Sequence, residues 1–257
     1  MKRLVRVSAS ALSVLLLLAS ITIWDAAFRT PATNLLPLAE GLIPIASSSG
    51  QALLSEKRYI ADYERLTQNF ESQSRPAFCG VASSVVVLNA LRSAGPRVTQ
   101  ATFFTDAASK VRGSLQVTFA GMSLAQLGGL LHAHGLAVTL FYASDIPVDA
   151  FRSIARENLR TSGDFVLVNY QRAVLGQGKI GHISPLAAYN ASTDRFLILD
   201  VAAYKYPPVW VSTAALWNAM NTLDSSSDRT RGFILVKNGD ASEAATPPGQ
   251  QLGSHSR

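Results

Sequence analysis

Gln73-Ser-Arg-Pro-Ala-Phe-Cys79-Gly80, running straight into Val81-Ala-Ser-Ser-Val-Val-Val-Leu-Asn-Ala-Leu91, sets the architecture of this chain. The second half of the stretch is apolar almost all round, which suits a buried central helix better than a surface one. Pro76 stands where a first helical turn tolerates proline, so the spacing predicts a helix from near Pro76 to about Leu91. Cys79 is the single cysteine of the 257 residues and falls in the first turns of that helix. Unpaired N–H groups and the helix dipole favour a thiolate there. Most free cysteines are small buried hydrophobes, so the position of this one decides little without partners elsewhere.

Outward from this helix, the chain reads as helices followed by strands. A short helix falls within Gln51–Asn69, and another around Ser123–His134, with Gly135 as a C-cap. Leu136–Tyr142 alternates like a strand, Pro147–Thr161 is an amphipathic helix, and Asp164–Tyr170 is a strand. Ile180–Tyr189 and Arg195–Ala202 are strands around the turn composition Asn190-Ala-Ser-Thr-Asp194. Ala214–Asn221 makes a short helix and Gly232–Lys237 a last strand. This order predicts an α+β domain.

The two downstream strands carry Gly181-His-Ile-Ser-Pro185 and Leu197-Ile-Leu-Asp200. If the hairpin centres on Ala191, His182 and Asp200 are directly opposed. If it centres on Ser192, they are diagonal neighbours. Either register puts both on one face of an antiparallel pair. An aspartate after Leu-Ile-Leu is costly to bury alone, and a histidine partner removes that cost. A carboxylate on one ring nitrogen fixes the tautomer and leaves the other nitrogen for a thiol. A purely structural buried pair is the competing reading. Gln73 can reach the same helix end, where its amide and the Cys79 N–H would serve a developing oxyanion. Cysteine, base, orienting carboxylate and oxyanion donor together make a nucleophilic acyl-transfer set.

The net charge of +6 falls to +4 once residues 1–27, with three positive groups and one negative, are set aside. The remaining basic residues are scattered and form no run with interleaved aromatics, which argues against a nucleic-acid partner. Lys2, Arg3 and Arg6 precede Val7–Trp24, which carries no charge. Residues 1–27 therefore read as a signal peptide or as an uncleaved anchor attached through residues 7–24, and both readings export the domain. Trp24 and Asp25 sit badly before Ala26-Ala27 as a cleavage site. Residues 28–50, with three prolines and Ser47-Ser-Ser-Gly50, read as a linker to a domain over 51–237, and 238–257 as a disordered tail. An unpaired cysteine in an exported protein suggests a reactive thiol. His132 and His134 lack metal-ligand spacing and His255 lies in the tail, so no metal site is expected.

Ser72-Gln-Ser-Arg-Pro-Ala-Phe-Cys-Gly80 with Val87-Leu-Asn-Ala-Leu91 resembles the nucleophile segment of phytochelatin synthases. Gly181–Pro185, Leu197–Ala202, Lys205-Tyr-Pro-Pro208, Leu216-Trp-Asn-Ala-Met220 and Arg231-Gly-Phe-Ile-Leu235 resemble that family's later blocks, in the same order over about residues 50–237. The resemblance implies a papain-like cysteine protease fold, its helical part carrying the nucleophile and packed on an antiparallel sheet carrying histidine and aspartate. It implies Cys79 as nucleophile, His182 as acid/base, Asp200 as orienting carboxylate and Gln73 as oxyanion donor. Glutathione would be cleaved at its Cys–Gly bond through a γ-glutamylcysteinyl thioester. Water would release γ-glutamylcysteine; a second glutathione would give, less efficiently, phytochelatin-type oligomers.

The γ-glutamyl end carries a carboxylate and an ammonium. Arg231 is the candidate for the first, Asp224 for the second, and Gly181 would present backbone beside the histidine. No cofactor is required, and heavy-metal ions enter only as thiolates of the substrate. Arg75 departs from the acidic residue common in the family, and the cysteine-rich C-terminal region of the plant enzymes has no counterpart here. Two other readings stay open: a papain-like peptidase for other γ-glutamyl or peptide substrates, and a non-catalytic thiol- or metal-binding periplasmic protein. The exported domain would be periplasmic or held at the outer face of the inner membrane. Oligomeric state is unmarked, and a homodimer stays open.

Overall fold

The structure is a computed structural model, describing residues 2–55, 57–92 and 95–239; the polar stretch 240–257, most of the expected tail, lies outside the described residues. The charge-free N-terminal run extends into one long helix, α1 (Lys2–Phe28). A short edge strand β1 (Ile43–Pro44) and helices α2 (Ser48–Leu54) and α3 (Tyr63–Gln68) follow. Then come α4 (Cys79–Leu91), α5 (Asp106–Val111), α6 (Ser114–Ala120), α7 (Leu124–Ala133) and strand β2 (Leu136–Tyr142). The C-terminal half runs α8 (Val148–Asn158), β3 (Phe165–Gln171), β4 (Gly181–Asn190), β5 (Arg195–Ile198), β6 (Val209–Ser212) and α9 (Thr213–Met220). A two-stranded ribbon, β7 (Leu223–Asp224) with β8 (Arg229–Thr230), leads to β9 (Gly232–Asn238).

The main sheet has the order β1-β6-β5-β4-β3-β9-β2, and its pairs are antiparallel. The α+β class expected from the sequence is the class observed. Side chains alternate across the sheet, as period two demands. Leu167, Ile183 and Ile234 join Val85, Leu88, Leu127 and Phe103 in one core. Val166, Val168 and Phe233 join Phe151, Phe196 and Leu216 in the other. Helices therefore cover both faces: α4 and α7 on one, α8 and α9 on the other. Every residue of α4 from Gly80 to Ala90 is buried, which accounts for the absence of a polar stripe in its sequence.

Three expectations need correction. The helix begins at Cys79, not near Pro76. The Phe78 N–H closes a turn on the Arg75 carbonyl, and the Gln73 amide occupies the Arg75 and Pro76 carbonyls at 2.9 and 2.7 Å. The Pro76 carbonyl thus has a partner without a further helical turn.

Second, much of the stretch read as a linker is part of the domain. Ile43 and Pro44 pair with Trp210 and Val209 at the sheet edge, where proline costs no ladder bond, and Trp210 Nε1 donates to the Gly50 carbonyl at 3.0 Å. Third, neither hairpin register holds next to the turn. Residues pair as Asn190↔Arg195 and Tyr189↔Phe196, and the register then shifts between Leu186 and Ala188 to give Leu186↔Ile198. Continued without that bulge, the first register would put His182 and Asp200 on opposite faces. The bulge restores the parity of the Ser192-centred register.

Candidate active site

Cys79 opens α4, following Phe78, which makes no side-chain cap on the helix N-terminus. Cys79 is a free cysteine and partly buried. One turn on, Ser83 Oγ donates to the Ile183 carbonyl at 3.0 Å, tying α4 to β4 beside His182. At Gly80 an added Cβ would lie 2.5 Å from Met122 Sδ, so the glycine lets the Met122 side chain pack on the nucleophile turn.

The turn is also pinned from behind. The Gln73 N–H and Ser72 Oγ both bond the Val201 carbonyl, at 2.8 and 3.1 Å, one residue after Asp200. Gln100, absent from the sequence reading, accepts from the Ser74 N–H and donates to the Ser72 carbonyl. The cysteine turn and the aspartate loop are thereby one hydrogen-bonded unit.

His182 is buried, with Nε2 2.9 Å from Asp200 Oδ1 and 3.0 Å from Ser184 Oγ. An ionised carboxylate can only accept, so Asp200 assigns the proton to Nε2 and leaves Nδ1 as the base. The Tyr170 ring packs edge-on against the imidazole, with centroids 5.6 Å apart. Asp200 Oδ1 also accepts from Arg172 Nη2 at 2.7 Å and from the Ala202 N–H at 2.9 Å.

Arg172 is the residue that sequence reading missed. It is buried, lies over the Tyr206 ring at 4.9 Å and bonds Gln177. Its one legible signal was position, an arginine at the end of an apolar strand that any buried aspartate would recruit.

Burial dominates the electrostatics. It pulls His182 down to about 4, with the nearby Arg172 cation adding to the shift and Asp200 opposing it. Burial pushes the Cys79 thiol up, while the Ile183 and Gly80 N–H groups and Arg172 pull the other way. Asp200 lies well below the usual carboxylate range: His182 and Arg172 overcome the burial that would raise it. Burial therefore works against charge on both the thiol and the imidazole, beside a carboxylate that His182 and Arg172 hold ionised. The helix terminus, expected to favour a thiolate, is opposed by the desolvation of the sulfur.

A cavity of about 420 Å³ collects the expected residues. Gln73, Cys79, Gly181, His182, Asp224 and Arg231 line it, and Asp200 stands behind His182. Arg231 is buried; Nη1 donates to the Leu223 carbonyl at 2.6 Å and to Thr222 Oγ1 at 3.1 Å. Its Nε has no partner, and Nη2 stands 4.0 Å from Asp224 Oδ1. Burial lowers the Arg231 pKa, with Asp224 working against it. Asp224 accepts from the Ser226 N–H and Oγ at 3.0 and 2.7 Å and faces Asn169 Nδ2 at 3.4 Å. A Cβ at Gly181 would meet Arg231 Nη2 at 3.2 Å, so the glycine leaves room for the guanidinium.

Gln73 is in place but its amide hydrogens go to Arg75 and Pro76, and its Oε1 is buried without a partner. His134 Nε2 lies 2.8 Å from the Phe103 carbonyl, with its ring stacked on Phe103. Among the described residues, no three His, Cys, Asp or Glu side chains gather as a metal site.

Comparison with known proteins gives a consistent answer. The sequence profile of the family described as phytochelatin synthase matches residues 33–233. The chain is 36% identical over 200 residues to glutathione gamma-glutamylcysteinyltransferase 1 of Lotus japonicus, covering 76% of this chain and 40% of that protein. The Arabidopsis thaliana protein of the same name is also 36% identical, with 76% and 41% covered. The Schizosaccharomyces pombe glutathione gamma-glutamylcysteinyltransferase is 28% identical over 184 residues, with 69% and 44% covered. The matched region spans about two-fifths of the length of these relatives.

Proposed function

Since the chain belongs to the phytochelatin synthase family, we propose that it is a papain-like cysteine acyltransferase and hydrolase that cleaves the Cys–Gly bond of glutathione. The observation that carries this reading is one cavity lined both by Cys79 and His182 and by the loosely paired Arg231 and Asp224. A γ-glutamyl group offers a carboxylate and an ammonium on one carbon, and the Arg231–Asp224 pair offers the complementary charges.

His182 Nδ1 takes the thiol proton as Cys79 Sγ attacks the cysteinyl carbonyl. Negative charge then develops on the carbonyl oxygen, where N–H groups at the α4 terminus stabilise it. Gln73 joins them after an amide rotation that releases one hydrogen from the Arg75 or Pro76 carbonyl. The proton on His182 passes to the glycine nitrogen, the C–N bond breaks, and glycine leaves a thioester on Cys79. Water, activated by the same nitrogen, frees γ-glutamylcysteine; the amine of a second glutathione would instead lengthen the product. Asp200 stays ionised throughout and offsets the imidazolium formed in each half-reaction. Heavy-metal ions enter only as thiolates of the substrate.

The domain works outside the cytoplasm, exported by α1 as a cleaved signal or a retained anchor. The positive start of the chain and the apolar window Ala11–Phe28, of mean hydropathy 2.0, support export. The decisive experiment is mass spectrometry of the detergent-solubilised full chain incubated with glutathione, beside Cys79→Ser. Free glycine, γ-glutamylcysteine and an acyl adduct on Cys79 are expected from the native chain alone. A folded, reduced protein that releases no glycine would sink the assignment.

A further inference from the structure

The cavity mouth is edged by large apolar side chains that point into solvent. Leu36, Phe119 of α6 and Ile180 all line the cavity, yet are 39%, 59% and 52% exposed. Leu115, one turn before Phe119 on α6, is 61% exposed. Three such residues lining one opening, with Leu115 next to them on α6, need a cover, since apolar patches of this kind mark contact surfaces.

The chain itself indicates what covers them. Phe28, the last residue of α1, meets Phe119 edge-on at 5.8 Å and stacks on Trp24 at 4.1 Å. The Arg75 guanidinium, in the nucleophile turn, lies 4.8 Å from the Phe28 ring and 4.7 Å from Phe78, and bonds Thr118 Oγ1 of α6 at 3.0 Å. Just beyond, the Asn34 and Leu36 N–H groups bond the Tyr204 and Lys205 carbonyls at 2.8 and 2.9 Å, across the same mouth. The end of the membrane-length helix is therefore docked on the rim of the cavity.

Tryptophan at the end of a membrane-spanning helix sits at headgroup depth. In α1 that residue is Trp24, with Phe28 stacked on it and the ion pair of Asp25 with Arg29 at 3.5 Å alongside. A side chain touching Phe28 lies at that same depth. Arg112, bonded to the Gly121 carbonyl at 2.7 Å next to α6, and Lys205 on the rim bring positive charge to a surface that carries anionic lipid headgroups.

We propose that the α6 rim of the cavity is seated in the membrane interface, so that the mouth opens at the bilayer surface rather than into bulk solvent. The partner is a lipid bilayer with anionic headgroups, contacted through Leu115, Phe119, Leu36 and Ile180. This rests on the retained-anchor reading of α1, which the docking of Phe28 and the poor cleavage site both favour. It does not depend on which thiol substrate enters.

The test uses the full chain in a Cys79→Ser background, reconstituted into vesicles of phosphatidylethanolamine and phosphatidylglycerol. A nitrobenzoxadiazole label is placed at Leu115→Cys, at Phe119→Cys, or at Glu157→Cys on the exposed side of α8. Seating predicts blue-shifted emission at 115 and 119 and loss of roughly half of it to spin-labelled lipid, the label lying ~5–10 Å into the headgroup boundary. The label at 157 should stay water-like. Glutamate at both Leu115 and Phe119 should return a label at Ile180→Cys to a water-like spectrum. Water-like labels at 115 and 119 on vesicle-bound protein would overturn the seating while leaving the anchor standing. Protein that remains outside the vesicles would remove the anchor and the seating together, without touching the glutathione reading.

Discussion

Asp200 and Arg172 meet at 2.7 Å and are both almost wholly buried, whereas Asp224 and Arg231, in the same cavity wall, stand 4.0 Å apart. In the first pair one carboxylate oxygen gathers Arg172, His182 and a backbone N–H, and the other is buried without a partner. In the second, Asp224 is satisfied by Ser226, and Arg231 keeps an unpartnered Nε. A buried polar atom left without a partner costs on the order of 1–3 kcal/mol in either pair, but only Arg231 and Asp224 both line the cavity, where a ligand can reach them. The tight pair holds a base in position; the loose pair has valence left for a ligand that brings both charges.

The comparison breaks most readily at Asp200. Asp200→Asn leaves Arg172 as a buried cation without its counter-charge and frees the His182 tautomer. Turnover should fall by about three to four orders of magnitude. Urea unfolding should show a loss of roughly 3–5 kcal/mol. A variant with native stability and native turnover would mean the pair is ornamental.

Arg231→Leu should act on the substrate side only, lowering kcat/KM for glutathione by roughly a hundredfold or more, mainly through KM. A substrate with γ-aminobutyryl in place of γ-glutamyl lacks the carboxylate and should lose as much with the native chain. With Arg231→Leu the two substrates should then react alike. Unequal losses would place the carboxylate elsewhere.

pH separates the two pairs next. With His182 held near 4, kcat/KM should stay level through pH 6.5 and fall only as the solution approaches pH 4. Removing the Arg172 cation in Arg172→Gln should move that acid limb upward, while Arg231→Gln, away from the imidazole, should leave it where it is. Stability follows the same group. The unfolded chain takes up a proton on this histidine near its ordinary pKa of about 6.5, and the folded chain does so only near 4. Folding free energy should therefore fall as pH drops from about 6.5 towards 4. It should fall further below the unfolded carboxylate range as Asp200 is protonated. Urea midpoints measured across that range would show both stages.

The smallest effect concerns placement. Ser83→Ala removes the bond to the Ile183 carbonyl and should cost about 1–3 kcal/mol, with a modest drop in kcat at unchanged KM. A change confined to KM would mean that α4 does not need this tie to hold Cys79 against β4.

Much of this could be read along the chain, and the reasons are local. A helix apolar on every side, Val81 to Leu91, can only be central, and strands of alternating apolar residues announce themselves by period. Cys79 and His182 could be singled out because the chain holds one cysteine and four histidines, and Asp200 because it follows an apolar run on the strand beside His182. Arg231 and Gly181 fall in the family blocks and Asp224 in the loop after the Leu216 block, and the cavity brings the three together. The sequence reading places no element over residues 106–120, where α5 and α6 are too short to show a helical period.

What the sequence by itself determined is the α+β class, the central helix, the long apolar N-terminal segment and the residue types available for chemistry, since periodicity and composition act within a few residues of each other. Tertiary structure alone decided the bulge near Ala187 that puts His182 and Asp200 on one face. It also decided the recruitment of Arg172, the burial that works against charge on the thiol and imidazole, and the packing of Phe28 on Phe119. Each of these depends on burial and on partners far apart in the chain, where a charge is priced by its whole surroundings and not by its neighbours in sequence.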